Sequence, residues 1–123
     1  MVASLRGLTA IAVAAALAGC DARLPDREPA TGGNPGHGRE LIAHFGCGSC
    51  HTIKGVPGAN ATVGPSLEDV KKRVYLAGRL DNTPANIQKW ILAPQSVDPG
   101  TAMPAVGVDE SGARDIAAYL YSQ

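Results

Sequence analysis

The residues best placed for chemistry are Cys47-Gly48-Ser49-Cys50-His51. Two thiols three positions apart lie on one face of a helical turn, where both can add to the vinyl groups along one porphyrin edge. The imidazole beside the second thiol then falls under the iron as proximal ligand. The Cys-x-x-Cys-His order thus reads as a site of covalent c-type haem attachment. Gly48 and Ser49 are small, so neither obstructs the macrocycle. A bare Cys-x-x-Cys also fits a redox dithiol or half of a zinc site. A thioredoxin-like dithiol expects a βαβ setting, and no strands are evident around this motif. A structural zinc site needs two further ligands, and the third cysteine, Cys20, has another use.

Met103 is the candidate sixth ligand. With Met1 leaving in an export signal, it is the only methionine of the mature chain, 52 residues after His51. A lone methionine usually fills a core gap. This one sits in a Pro- and Gly-rich loop, where a core role is less natural, and a haem motif lies upstream.

The rest of the chain must position these groups. At 123 residues there is room for one small domain and a leader. Aromatic residues make up only 4%, a thin supply for a core, and a large planar cofactor would add the missing apolar surface. The 11 basic and 11 acidic residues leave no footprint for nucleic acid.

Residues 1–19 read as an export signal, with Arg6 in its positive region and an apolar run from Leu8 to Leu17 that is too short to span a bilayer. Leu17-Ala18-Gly19-Cys20 resembles the lipobox of bacterial lipoproteins, in which Cys20 would become the lipidated first residue of the mature protein; the alternative is an ordinary cleavable signal in which Cys20 is incidental. Residues 20–35, rich in Pro, Gly and charge, read as a flexible tether. About 15 such residues reach at most ~50 Å.

A folded domain is expected over 36–123. Its first helix runs from Pro35 or Gly36 to Phe45, capped by Asn34. Ser66 and Asp69 form a variant capping box that starts a short helix to Arg73. Tyr75 to Leu80 is left as a further helical turn. Thr83-Pro84 opens a helix that buries Ile87, Trp90 and Ile91 and stops at Pro94. A last helix begins at Asp109 or Ser111 and ends at Tyr121. His37 and His44 are expected to face solvent, and Lys71, Lys72 and Arg73 to form a solvated basic face.

From Gly36 to Tyr121 the chain resembles a class I cytochrome c domain. The markers are Cys47–His51, Gly64-Pro65-x-Leu67, Trp90, Met103-Pro104 and Ile116-Ala117-Ala118-Tyr119-Leu120. More narrowly, Leu80-x-Asn82-Thr83-Pro84, Pro94-Gln95 and Thr101-Ala102-Met103-Pro104 look like the cytochrome c domain fused to subunit II of some haem–copper oxidases. The resemblance implies an all-α fold of four to five short helices around one covalent haem c, with the first and last helices crossing. Gly38 and Ile42 should meet Ala117 and Tyr119 there. It also implies that the Pro65 carbonyl accepts a hydrogen bond from His51, and that Arg73 and Trp90 lie at the haem propionates.

Function is expected to follow from coordination. His51 and Met103 together leave no vacant position on the iron, so the protein would carry single electrons without a small-molecule substrate and would not be an enzyme. The expected partner is a membrane-bound haem–copper oxidase or another respiratory complex, met at the periplasmic face of the cytoplasmic membrane. A small apolar patch of Gly48, Ser49, Val56 and Ala102 is expected to dock it. A labile or five-coordinate haem, acting as gas sensor or peroxidase, is the alternative if Met103 is detached.

Overall fold

The computed structural model describes residues 23–123, so the leader and Cys20 lie outside the described residues. Helix α1 (Pro35–His44) begins behind Asn34, whose side chain accepts from the His37 N–H at 3.0 Å, with Pro35 in the first turn. Helix α2 (Pro84–Leu92) repeats the device: Thr83 accepts from Asn86 N–H at 3.1 Å, and Pro84 follows. Helix α3 (Pro94–Val97) is a single turn whose Pro94 is fully buried. Helix α4 (Glu110–Tyr121) starts at Asp109, which accepts from Gly112 N–H at 2.7 Å. None of these helices is long and apolar enough to cross a membrane.

Helices α1 and α4 cross in close contact. Gly38 lies so near the backbone of Asp115 and Ile116 that a methyl group there would overlap the Asp115 carbonyl. The contact falls one or two residues before the expected Ala117. Ile42, 1% exposed, joins Ala113, Ile116, Ala117, Tyr119 and Leu120 in the core, and α2 adds Ile87 and Ile91. Each large aliphatic side chain buried there stabilises the fold by roughly 1.5–3 kcal/mol. His37 does not simply face solvent: its Nδ1 lies 2.7 Å from Asp115 Oδ2, while Asn34 N–H donates to Oδ1 of the same carboxylate at 2.8 Å.

Two expected helices are absent. Ser66 does not cap a helix; its hydroxyl accepts from Glu68 N–H at 3.2 Å, and Asp69 adopts a left-handed φ of 55°. Only a 3-10 turn, Val70–Lys72, follows. Residues 75–81 form a hairpin, β1 (Tyr75–Leu76) antiparallel to β2 (Leu80–Asp81). Asn82 holds both pieces: its amide donates to the Val70 and Arg73 carbonyls at 2.8 Å, and its own carbonyl oxygen accepts from the Tyr121 hydroxyl at 2.6 Å. One side chain therefore joins this region to α4.

The described part of the expected tether is a strap folded onto the domain. Leu24 packs against the core, and Gly33 sits beside the backbone of Arg114. Glu28 is 2% exposed and accepts from Thr31 N–H at 2.7 Å, with Lys71 Nζ 3.5 Å away. Burial pushes the Glu28 carboxyl up, but the Thr31 and Ala30 hydrogen bonds and the Lys71 charge outweigh it, and the net direction is down. Pro and Gly in this stretch shape the strap's turns; a paired, buried carboxylate is what holds it down. Lys71 thus reaches Glu28 while remaining, like Lys72 and Arg73, on the exposed basic face that was expected.

Candidate functional site

The attachment motif begins where α1 ends. Cys47–Ser49 is a 3-10 turn, closed by Cys50 N–H to Cys47 O at 3.2 Å and steadied by Ser49 Oγ donating to Gly46 O at 2.7 Å. A 3-10 turn nearly eclipses residues three apart, which sets Cys47 and Cys50 on the same side. Both thiols are free. Burial, with the neighbouring Cys50 adding to it, pushes the Cys47 thiol up despite a hydrogen bond at its own backbone. A reactive redox dithiol needs the opposite shift.

His51 is oriented by the loop opposite. Gly64 N–H donates to Cys50 O at 2.7 Å and Leu67 N–H to Thr52 O at 2.8 Å, so 64–67 runs beside 50–52. This presents the Pro65 carbonyl to His51 Nδ1 at 2.6 Å. A carbonyl only accepts, so Nδ1 carries the proton and Nε2 keeps its lone pair. Gly64 faces the ring edge, and a Cβ there would stand 2.5 Å from His51 Cε1. Among the described residues nothing bonds to Nε2. An imidazole fixed through one nitrogen, with the other left basic beside two free thiols, is the donor set a covalent haem requires. Val63, next to Gly64, and Val74 and Tyr75, next to Arg73 in the chain, are exposed large apolar residues, at 81%, 71% and 61%.

Arg73 is exposed, and its guanidinium Nη2 donates to the Ser66 carbonyl, latching the residue after Pro65. Trp90 is half-buried on α2, and its indole N–H has no hydrogen-bond partner among the described residues. Met103 is half-buried; its N–H donates to Thr101 Oγ1 at 3.2 Å and its carbonyl accepts from Gln95 Nε2 at 2.7 Å. Hydrogen bonds thus gather Cys47, Cys50, His51, Pro65 and Arg73 into one group, while no such link ties Trp90 or Met103 to it. The expected docking patch is corrected at Val56, which is 8% exposed and belongs to the core; Ser49 and Ala102 are exposed, and Gly48 packs on Ala59. Sequence reasoning assigned no role to Gln95, because a side chain reaching eight residues onward to a backbone carbonyl leaves no local pattern.

A family model described as Cytochrome c matches residues 37–123. Cytochrome c oxidase subunit 2 of Alkalihalophilus pseudofirmus is 34% identical over 86 residues, covering 69% of this chain and 24% of that protein. The subunit of the same name from Bacillus sp. strain PS3 is 33% identical over 66 residues, 52% of this chain and 18% of its own length. The chain thus spans about a quarter or less of the curated relatives it matches.

Proposed function

The chain belongs to the cytochrome c family, as a class I member with an all-α fold and covalent haem c, and from that premise we propose a membrane-tethered carrier that delivers single electrons to a haem–copper oxidase. The haem supplies a one-electron iron couple. Cys47 and Cys50 would hold it through thioether bonds, and His51 Nε2 and the Met103 sulfur would be the side-chain atoms that bind its iron. Arg73 and Trp90 serve the propionates. With both side chains bound, the iron would have no site left for a small-molecule substrate, which fits a carrier better than an enzyme. Thioether ligation and burial favour the reduced state and raise the potential. The observation that carries this reading is His51, with Nδ1 held by Pro65 and Nε2 free.

Two supports point to the partner and the place. Both relatives are named as oxidase subunits, and the likeness covers only part of each, as a carrier domain shared with them would. Leu17-Ala18-Gly19-Cys20 supplies a lipid anchor at the outer face of the cytoplasmic membrane. Confinement there raises the effective concentration to the order of mM without intrinsic affinity. From Gly36 on, eight basic residues balance eight acidic ones, so long-range steering is weak.

The test is reoxidation of the reduced protein by membranes that contain the oxidase. The wild type is expected in the membrane fraction, reoxidised at a rate that changes little with salt. Cys20→Ala should be released in active form and react more slowly at equal bulk concentration. No reoxidation at all would remove the partner. A wild type found in the soluble fraction would remove the anchor.

A further inference from the structure

We infer that Gln95 is a positioning residue for Met103, its amide holding the methionine's backbone so that the sulfur stays directed into the haem crevice; this rests on Met103 being the distal ligand. The two residues lie eight positions apart, with an irregular loop through Gly100 between them. Gln95 Nε2 donates to the Met103 carbonyl at 2.7 Å, and Thr101 Oγ1 accepts from the Met103 N–H at 3.2 Å. Both polar groups of one residue's backbone are therefore taken up by side chains. Beyond it, among the described residues, the backbone from Pro104 to Val106 makes no hydrogen bond. The clamp acts at the residue whose position matters and nowhere else on that side of the loop.

The base of the clamp is firm without Gln95. Pro94 is fully buried, Asp98 N–H donates to Pro94 O at 2.9 Å, and Ser96 Oγ donates to Ala93 O at 2.7 Å. Asp98 also pairs with Arg79 Nη2 at 3.2 Å, which ties α3 to the end of the hairpin turn. Gln95 itself is exposed and contributes nothing to the core. Losing its amide leaves α3 in place and frees the Met103 carbonyl. The role is thus separable from general stability.

An exposed hydrogen bond of this kind shifts the balance between bound and detached methionine by roughly 2- to 10-fold. Gln95→Leu and the isosteric Gln95→Glu, which has no donor at neutral pH, should raise the rate of carbon monoxide binding to the reduced holoprotein by that factor. The near-infrared sulfur-to-iron absorption should disappear at a lower denaturant concentration than in wild type, while the far-ultraviolet unfolding midpoint stays nearly unchanged. Met103→Ala serves as reference and should lack the band outright. If Met103→Ala keeps the wild-type band, the ligand assignment fails and the inference with it. If Met103→Ala loses the band but both Gln95 variants bind carbon monoxide at the wild-type rate, only the positioning role is overturned. Parallel falls in the band and the global midpoint would mean that Gln95 is merely structural, and would overturn it equally.

Discussion

The α1–α4 crossing and the wall of the haem crevice are built on different principles. The crossing is made by side chains and close backbone approach: Gly38 against Asp115, Ile42 sunk among Ala113, Ile116 and Ala117. It needs nothing from outside the chain. The wall beside His51 is irregular backbone stitched by hydrogen bonds, from Gly64 to Cys50, Leu67 to Thr52 and Arg73 to Ser66. The crossing rests on buried side chains, whereas the loops beside His51 rest on hydrogen bonds, which a bound group would reinforce by mass action.

The largest effect should come from removing the haem. A Cys47→Ser/Cys50→Ser chain without cofactor should keep amide protection in α1 and α4 while residues 51–67 and 95–104 exchange faster by on the order of 100-fold or more. Hydrogen exchange of the two forms checks this, and equal loss of protection in the crossing would abolish the distinction. Next is Gly38→Ala, where the new methyl group meets a backbone carbonyl that cannot move aside. Urea unfolding of the holoprotein should show a loss of about 3 kcal/mol, with the visible spectrum unchanged. A shifted spectrum would mean that the crossing and the crevice are coupled. The smallest effect concerns Glu28. Its folded pKa lies below the ordinary 4.5, so its contribution is present above that value and is lost as the pH falls through the lower, folded value. Between pH 6 and pH 3 the wild type should lose about 1 kcal/mol more than Glu28→Gln, read from denaturation midpoints.

What the sequence reveals follows the range of each interaction. Asn34-Pro35, Thr83-Pro84 and Asp109 mark helix starts because a cap and its amide are neighbours in the chain. Ser66 and Asp69 carry the same local signal, yet Asp69 turns left-handed and the helix fails. The hairpin was hidden for a related reason: its turn pairs Gly78 (φ 65°) with Ala77 (φ 52°), where Asn or Asp is the usual residue, and Asn82 secures it through residues 9 to 39 positions away. The strap has a linker's composition, and only the distant Lys71 and Arg114 show that it is docked. At the site, the covalent motif and proximal histidine were plain from spacing, and Pro65 followed from the family likeness. Gln95 was invisible, since its contact depends on how α3 is turned.

The strap also sets the length of the leash. A lipid on Cys20 followed by 15 free residues would let the domain roam within ~50 Å of its anchor. With Leu24 packed against the core, the stretch from Cys20 to Leu24 can span at most ~14 Å. The accessible volume falls with the cube of that ratio, to roughly one fiftieth, and local concentration at the bilayer rises in proportion. A carrier anchored in the proposed way would resemble a buoy more than a swinging arm, travelling by lateral diffusion of its own lipid. On that reading, donor and acceptor would both have to meet it close to the bilayer.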